Sequence, residues 1–352
     1  MDTKLTCLIC HVTNSCNLRC KHCWVDGGID VEPVALTTEK WLSAIDESIP
    51  LGSKSVKFTG GEPFLRDDLL TMMEHCRKQD LGVSIETNGT FITDEKAAKM
   101  KSLGVSVVAI SLDSATPEFH DWFRGQKGAH EKAIKGIKNC VNNKLSTHGI
   151  FSVCRENLEH MQATIELCTE LGLTSLKINP VSPSGRAVNE SEITRFDIKE
   201  MLELYEKVLE ANRAKKWLTL VMPIPPAFQS LTSLTAGPSF ECDICNRMAV
   251  LPDGSVSLCG IGQTLREMVM GNVNHESLET IWENSLKVKE MRENIPSKLE
   301  GICGNCMHSK RCKGYCRSTA ITLTGNLYAP NPICQEAYAN NLFPVSRMSR
   351  IS

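Results

Sequence analysis

The most informative segment of the chain is Cys16-Asn17-Leu18-Arg19-Cys20-Lys21-His22-Cys23, which follows the apolar run 5–12. Its three thiols are separated by three and then two residues, so a short loop can bring them to one metal centre. An iron–sulfur cluster normally takes four cysteine thiolates, and three thiols therefore imply one iron that is open to an external ligand. A zinc site completed by His22 or His11 is the alternative, because zinc also accepts three cysteines and one histidine.

The cysteine spacing resembles that of the radical S-adenosylmethionine (SAM) superfamily. This resemblance implies a [4Fe–4S] cluster whose open iron is chelated by the amino and carboxylate groups of SAM. It also implies reductive cleavage of SAM to a 5′-deoxyadenosyl radical that abstracts hydrogen from an unactivated carbon. An electron donor of the flavodoxin or ferredoxin type and an anaerobic host are further expectations from the same resemblance.

Composition bounds the class of protein. The 352 residues are 41% hydrophobic and 23% charged, as in ordinary globular proteins, and suffice for a large domain and a smaller one. A net charge of −2 gives no reason to expect nucleic acid or an anionic membrane as a partner. The chain shows no signal peptide and no apolar run of about 18 residues, so we expect a cytoplasmic location. In that reducing compartment, the 17 cysteines favour metal ligands over disulfides.

The first half of the chain alternates short β-branched runs with amphipathic segments. Strands are predicted at 5–12, 55–58, 82–86, 105–112, 148–153 and 175–178. Helices are predicted at 38–48, 67–78, 94–102, 130–143 and 159–171. Six strand–helix units predict an α/β fold with a parallel sheet that curls toward a TIM-like barrel but falls short of eight units. The resemblance implies the same partial (β/α)₆ barrel.

Domain boundaries follow from changes in composition. Residues 1–187 are predicted to form the barrel core. Residues 188–239 are predicted to form a connector, because they are rich in Pro, Ser, Thr and Gly toward their end. Residues 240–352 contain most of the remaining cysteines and are predicted to form a smaller α+β domain with a C-terminal tail.

The segment Thr59-Gly60-Gly61-Glu62-Pro63 follows the second predicted strand. Adjacent glycines let the backbone approach a ligand closely, and Glu62 is a carboxylate that can accept from an ammonium group. A plain turn between a strand and a helix is the alternative. The resemblance assigns Glu62 and the carbonyls of Gly60 and Gly61 to the ammonium of SAM.

Polar residues also end the next two strands. Asn88 and Gly89 lie at the end of the third strand, and Ser111 and Asp113 lie at the end of the fourth. A turn and a helix cap are the alternatives. The resemblance assigns Asn88, Ser111 and Asp113 to the sugar and methionine portions of SAM. It assigns Arg124 to the SAM carboxylate, for which a planar guanidinium is suited; a solvated surface arginine is the alternative.

The C-terminal third holds a second set of cysteines. Cys242 and Cys245 form a CxxC pair, and the Asp253-Gly254 turn predicts a hairpin that brings Cys259 back beside them. Five more thiols follow, at Cys303, Cys306, Cys312, Cys316 and Cys334. Eight thiols suffice for two four-cysteine sites, and zinc is the alternative to iron–sulfur clusters.

The spacing of these cysteines resembles that of the SPASM extension of radical SAM maturases. The resemblance implies two auxiliary [4Fe–4S] clusters, three clusters in all. It gives cluster I the ligands Cys242, Cys245, Cys259 and Cys316, and cluster II the ligands Cys303, Cys306, Cys312 and Cys334. Cys245 rests on its spacing alone, and without it cluster I would keep an open iron. Core packing is predicted for the other six cysteines: Cys7, Cys10, Cys76, Cys140, Cys154 and Cys168.

The resemblance implies that the auxiliary clusters accept the electron released when a substrate radical is oxidised. The first hypothesis is a maturase that acts on a ribosomally made peptide or protein. It would introduce a cross-link or a thioether, or it would dehydrogenate the substrate. Almost nothing precedes Cys7, whereas many peptide maturases carry an N-terminal leader-binding domain. We therefore expect either a separate leader-recognition protein or a different mode of substrate recognition. No residue is assigned as the catalytic base.

Three alternatives stay open at this point. Haem-pathway enzymes carry the same extension and would act on a tetrapyrrole. Anaerobic sulfatase maturases share the architecture, but they carry an aspartate just after the second auxiliary-cluster cysteine, where this chain has Gly260-Ile261-Gly262. A zinc-binding scaffold protein is the alternative from a different class.

Overall fold

The computed structural model describes residues 4–29, 36–214, 217–236 and 246–349. The described residues form one sheet of ten strands. The strands are β1 (Cys7–His11), β2 (Ser55–Thr59), β3 (Gly82–Thr87), β4 (Val105–Ser111), β5 (Thr147–Val153), β6 (Ser175–Pro180), β7 (Thr219–Val221), β8 (Arg247–Val250), β9 (Ser255–Ser257) and β10 (Val269–Asn272). The six predicted strands are therefore confirmed as β1 to β6.

Helices alternate with the strands of the first half and then gather in the C-terminal part. They are α1 (Thr38–Ser48), α2 (Leu69–Lys78), α3 (Asp94–Ser102), α4 (Pro117–Arg124), α5 (Ala129–Asn142), α6 (Met161–Glu170), α7 (Ile198–Ala214), α8 (Leu231–Ala236), α9 (Leu278–Asn284), α10 (Leu286–Asn294), α11 (Gly301–Gly304), α12 (Ser309–Cys312), α13 (Arg317–Thr324) and α14 (Pro332–Ala339). Helix α4 was not predicted, and the five predicted helices of the first half match within two residues.

The strand order is β10-β9-β8-β1-β2-β3-β4-β5-β6-β7. From β8 to β7 all neighbours are parallel, whereas β9 and β10 pair antiparallel. The predicted hairpin is confirmed as β8 and β9, and β8 also pairs with β1. The C-terminal hairpin thus extends the sheet of the first half, a contact that no local sequence pattern indicates.

Side chains on one face of β1 to β6 pack with the helices in the main hydrophobic core, as Leu8, Val56 and Ile85 do. The opposite face carries the alternating residues Ile9, Lys57, Ser84, Glu86, Ser111, Ile150, Ser152, Lys177 and Asn179, and we call the space in front of them the barrel interior. Glu86 interacts electrostatically with Lys177, although β4 and β5 lie between their strands. The sheet is therefore curled, which agrees with the predicted incomplete barrel.

Five of the six cysteines predicted to pack in the core are buried: Cys10, Cys76, Cys140, Cys154 and Cys168. Cys7 is partly exposed, because it lies on the inward face of β1. In the described part of the chain, no helix combines the length and the apolar character needed to cross a membrane.

Candidate active site and metal centres

The three cysteines of the first loop lie together at the carboxyl end of β1. Cys16, Cys20 and the partly buried Cys23 pack with Leu18 and Ala129. The Leu18 amide donates to the sulfur of Cys16 at 3.4 Å. Burial raises the pKa of the Cys16 thiol to about 12, so this thiol ionises at neutral pH only where a nearby cation compensates its charge. Three soft sulfur donors of this kind fit an iron–sulfur cluster that leaves one iron open.

Neither histidine offered for a zinc alternative forms a metal site with these thiols. His22 stacks on Phe123 with ring centroids 4.1 Å apart. His11 receives a hydrogen bond at Nδ1 from the amide of Gln263, at 3.1 Å. Across residues 4–29, 36–214, 217–236 and 246–349, no three His, Cys, Asp or Glu side chains are arranged to hold a single metal ion.

Gly60 and Gly61 let the loop after β2 pack directly on the backbone between β1 and the cysteine loop. A Cβ at Gly60, whose φ is +146°, would lie 2.5 Å from the Thr13 carbonyl oxygen, and one at Gly61 would lie 2.2 Å from that of Ser15. The Gly61 amide donates to the Thr13 carbonyl at 2.6 Å. Both glycines are thus required by backbone packing, and their predicted contact with SAM stays a prediction.

Glu62 is completely buried and joins the ends of β2 and β3. Its Oε1 accepts from Thr87 Oγ1 at 2.7 Å and from the Phe64 amide at 3.1 Å, and its Oε2 accepts from the Asn88 amide at 2.8 Å. Burial raises the pKa of this carboxyl group, although the hydrogen bonds oppose the rise. The sequence did not indicate that Glu62 connects the ends of β2 and β3 through hydrogen bonds. Its predicted contact with the SAM ammonium stays a prediction.

Two of the residues predicted to contact SAM touch sulfurs of the cysteine loop. Asn88 Nδ2 donates to Asn17 Oδ1 at 2.9 Å and lies 3.9 Å from the Cys16 sulfur. Arg124 Nη1 lies 3.6 Å from the Cys20 sulfur. The geometry therefore brings the ends of β3 and α4 to the same loop.

Asp113 and Arg124 form an ion pair at 2.5 Å, and both side chains are buried. The second carboxylate oxygen of Asp113 accepts from the Ser152 amide at 2.8 Å. Burial raises the pKa of Asp113, while the Arg124 charge opposes the rise. Ser111 is a partly exposed residue at the end of β4, on the inward face. All seven predicted SAM residues thus lie at the carboxyl ends of β2, β3 and β4 or on α4.

Arg186 contacts the cysteine loop, and the sequence did not predict this contact. Its guanidinium donates to the carbonyls of Cys20 at 2.5 Å and Gly27 at 2.7 Å, and pairs with Asp26 at 2.9 Å. Its own amide donates to the Cys23 carbonyl at 2.8 Å. The loop after β6 therefore clamps the backbone of the cysteine loop. The only sequence signal was a Gly-Arg pair after the last predicted strand.

The predicted ligands of auxiliary cluster II lie together. Four thiols line one cavity: Cys303, Cys306, Cys312 and Cys334. The Asn331 amide donates to the Cys303 sulfur at 3.2 Å, and the His308 amide to the Cys306 sulfur at 3.4 Å. A hydrogen bond from Cys334 lowers the pKa of the Cys303 thiol. Four thiols around one cavity fit a cluster with four cysteine ligands.

The structure describes two of the four predicted ligands of auxiliary cluster I, Cys259 and Cys316. The thiols of Cys259 and Cys316 interact electrostatically, and burial raises the pKa of Cys259 to about 11. Thr319 Oγ1 donates to the Cys316 sulfur at 3.2 Å. These contacts fit the predicted crossing of Cys316 to this site. Cys242 and Cys245 lie outside the described residues.

Arg317 is a buried cation between the two auxiliary sites, and the sequence analysis missed it. It donates to the carbonyls of Leu327 at 3.1 Å and Ala329 at 2.6 Å, while its Nε has no hydrogen-bond partner among the residues that the structure describes. Its charge interacts with the thiols of both sites, which are Cys303, Cys312, Cys334 and Cys316. Its position directly after a ligand cysteine was the available signal.

Gly260 joins the first auxiliary site to β1. A Cβ at this position would lie 2.2 Å from the imidazole of His11 and 2.9 Å from the indole of Trp24. The space beside Cys259 is therefore filled by His11 and Trp24. This packing agrees with the absence of an acidic residue immediately after Cys259.

Comparison with known proteins identifies two domains. The profile described as the radical SAM superfamily matches residues 10–168, and the iron–sulfur cluster-binding SPASM domain matches residues 242–307. An AdoMet-dependent heme synthase of Oleidesulfovibrio alaskensis is 29% identical over 92% of this chain and 85% of its own length. An Fe-coproporphyrin III synthase of Methanosarcina barkeri is 28% identical over 93% and 87%. The mycofactocin maturase MftC of Mycolicibacterium smegmatis is 28% identical over 94% and 83%.

Solved structures share the fold. Streptococcus suis SuiB bound to S-adenosylmethionine superposes with a TM-score of 0.76 at 16% identity, over 95% of this chain and 78% of its own. The protein anSMEcpe with bound AdoMet superposes with a TM-score of 0.71 at 20% identity, over 96% and 97%. These similarities confirm the predicted barrel core followed by a cysteine-rich C-terminal part.

Proposed function

This chain is a radical SAM enzyme with a C-terminal SPASM domain, and from that premise we propose that it oxidatively modifies a ribosomally made peptide or protein. Bound SAM and its cluster supply a hydrogen-abstracting radical, and the auxiliary clusters take up the electron that an oxidation releases. A protein electron donor of the flavodoxin or ferredoxin type and a separate leader-recognition protein belong to the same proposal.

The chain itself holds the reactants in place. Arg124 is anchored by Asp113, and we assign its remaining donors to the SAM carboxylate. We assign Glu62 and the carbonyls of Gly60 and Gly61 to the SAM ammonium. Because the Glu62 carboxylate already orders the end of β3, it fixes the site before SAM binds.

Three other residues complete the proposed set of SAM contacts. Asn88, Ser111 and Asp113 are assigned to the sugar and methionine portions of SAM. Asn88 already contacts the loop that carries Cys16, so it can position SAM relative to the cluster. The eleven cysteines of the three predicted sets remain the proposed ligands, with Cys245 resting on its spacing.

The character of the barrel interior carries the peptide hypothesis. In the described residues, none of the inward-facing positions of β1 to β6 is Phe, Tyr or Trp. Polar residues prevail instead, among them Ser84, Ser152 and Lys177. A flat macrocycle calls for apolar and aromatic walls. A polar interior without aromatic side chains instead suits a peptide segment, whose backbone and side chains carry hydrogen-bonding groups.

A tetrapyrrole is the second candidate substrate, because two of the relatives at 28–29% identity are named heme synthase and Fe-coproporphyrin III synthase. The sulfatase-maturase alternative is disfavoured by the packing of Gly260 against His11, which leaves no room for a side chain. A zinc-binding scaffold is disfavoured by the iron–sulfur cluster-binding domain at residues 242–307.

The test is anaerobic reconstitution followed by incubation with SAM and a reductant. We expect about 12 irons per chain, from three four-iron clusters. Peptides encoded beside the gene should gain a mass change and stimulate 5′-deoxyadenosine formation, and coproporphyrin III should not. The reverse result would replace the peptide by the tetrapyrrole.

Two cysteine variants test the cluster assignment. Cys20→Ala should lose 5′-deoxyadenosine formation and hold about eight irons, since only the first cluster is removed. Cys140→Ala is the matched control, because this thiol is buried in α5 and is not among the predicted ligands. Continued 5′-deoxyadenosine formation by Cys20→Ala would contradict the assignment of the first loop.

A further inference from the structure

The barrel interior contains more positive than negative charge. Lys57 forms an ion pair with Glu86 across β2 and β3. Lys177 lies close enough to Lys57 and Glu86 for their charges to act on it, and the charge of Arg247 in β8 acts on Lys177 as well. Lys57, Lys177 and Arg247 thus form a group with one carboxylate, Glu86, and the formal charge of the four side chains is +2.

Lys177 and Arg247 are the two cations without a close partner. Within the described residues, neither forms an ion pair within 4.0 Å, while the Glu86 carboxylate is engaged by Lys57. Burial lowers the pKa of Lys177; Glu86 opposes this effect, and Lys57 and Arg247 add to it. A partly buried ammonium among other cations is a site that an anion would stabilise.

The position of Lys177 suits a substrate that enters from the SAM side. Two residues further along β6, Asn179 lies beside Ser152 in the strand register. The Ser152 amide donates to Asp113, the partner of Arg124. A strand rises about 3.3 Å per residue, so Lys177 lies roughly 7 Å from Asn179 toward the amino ends of the strands, which is the direction away from the proposed SAM site. A polar path thus leads from the proposed SAM site down to the unpaired cations.

We propose that Lys177 and Arg247 bind a carboxylate of the substrate and thereby hold the reacting carbon beneath SAM. This inference rests on the proposed function and names the chemical group that the substrate must carry. An ammonium and a guanidinium together suit a carboxylate, which accepts from both. A peptide C-terminus or acidic side chain and a carboxylate arm of a tetrapyrrole are the two sources of that group.

The reconstituted full chain can be tested with paired probes. One pair is coproporphyrin III and its tetramethyl ester, and the other is the hexapeptide Ala-Gly-Ser-Gly-Val-Tyr with a free or an amidated C-terminus. Binding is followed by quenching of tryptophan fluorescence. We expect one acid to bind at least about tenfold more tightly than its neutral form, and less tightly as salt is added. The pair that shows this preference identifies the source of the carboxylate.

Three variants complete the design. Lys177→Gln should lose the preference for the acid, and Lys177→Arg should keep most of it. Lys99→Gln, which alters an exposed lysine of α3, is the matched control and should behave as the wild type. Equal affinity for acid and neutral forms, failure of both acids to bind, or an unchanged preference in Lys177→Gln would each overturn the inference.

A second measurement separates this inference from the proposed function. Substrate-independent cleavage of SAM by the reduced wild-type enzyme tests the proposed function by itself, because Lys177 lies outside the residues assigned to SAM. Absence of SAM cleavage in the wild type would defeat the proposed function. An acid preference that persists in that case would leave the carboxylate site standing.

Discussion

Arg124 donates from Nε to the Asp113 carboxylate at 2.5 Å, and its Nη1 simultaneously faces the Cys20 sulfur at 3.6 Å. Asp113 follows β4, and Arg124 ends α4. The pair therefore links the end of the sheet to the loop that holds the three thiols. Because both side chains are buried, each charge depends on the other.

Asp113→Asn should destabilise the protein by about 3–5 kcal/mol, since it leaves the Arg124 charge buried without a counter-charge. It should also weaken SAM binding, because Arg124 loses its anchor. Urea unfolding and equilibrium dialysis with SAM measure the two effects. Glu200→Gln is the control, because it breaks the exposed ion pair with Arg155 and should cost far less. Similar losses in the two variants would contradict the role given to burial.

His120 makes stability depend on pH. Its Nδ1 accepts from the Asp113 amide at 3.2 Å, and burial lowers its pKa to about 2. In the unfolded chain its pKa is about 6.5, so below that pH the unfolded state takes up a proton that the folded state refuses. Stability from this group is complete above pH 6.5 and falls as the pH drops, by about 1.5 kcal/mol between pH 6.5 and 5.0.

His120→Asn should remove this dependence, because an amide oxygen can replace Nδ1 as acceptor and does not titrate. Urea unfolding at pH 7.5, 6.5 and 5.0 measures the slope for both proteins. We expect the variant to lose less stability than the wild type between pH 6.5 and 5.0. Parallel losses would show that His120 is protonated in the folded protein.

Local patterns predicted the parts of the fold in which neighbouring residues determine the structure. The runs around Val56 and Val83 are buried on one face and bounded by turns, so their strands were predictable. The pairing of β8 with β1 joins residues about 240 positions apart, and no pattern in either segment indicates it. Strand β7 lies within the strand-like run 217–221 that the sequence also indicates, and it pairs with β6.

The candidate site was predictable for the same reason and with the same limit. Cysteine ligands can be recognised in a sequence by their spacing, and the four thiols predicted for cluster II line one cavity. Arg186 and Arg317 act mainly on backbone carbonyls that come together only in the folded chain. Neither residue has a motif of its own, so the sequence could not distinguish them from surface arginines.

Arg317→Gln should lower the reduction potential of the auxiliary clusters. A buried positive charge favours the more negative, reduced state of a nearby cluster, so its removal should shift the potential downward by tens of millivolts to about 100 mV. Potentiometric titration followed by electron paramagnetic resonance measures the shift. Arg317→Lys keeps the charge and should hold the potential nearer to that of the wild type, even where the lost carbonyl contacts lower stability. Equal shifts in both variants would attribute the effect to altered packing.

Gly260→Ala tests the contact between β1 and the first auxiliary site. The new Cβ would lie 2.2 Å from the His11 ring, so we expect a loss of about 1–3 kcal/mol in unfolding free energy. Gly82→Ala is the control, because its Cβ would meet its nearest atoms at an ordinary 3.6 Å.

The double variant His11→Ala, Gly260→Ala decides whether the imidazole is the obstacle. Removing the ring opens space for the new methyl group, so the double variant should lose less stability than the sum of the two single variants, by about 1 kcal/mol or more. Strict additivity would mean that the Gly260 methyl group is opposed by something other than His11. In that case Trp24, whose ring lies 2.9 Å from the same Cβ position, would have to supply the contact between the first cysteine loop and Cys259.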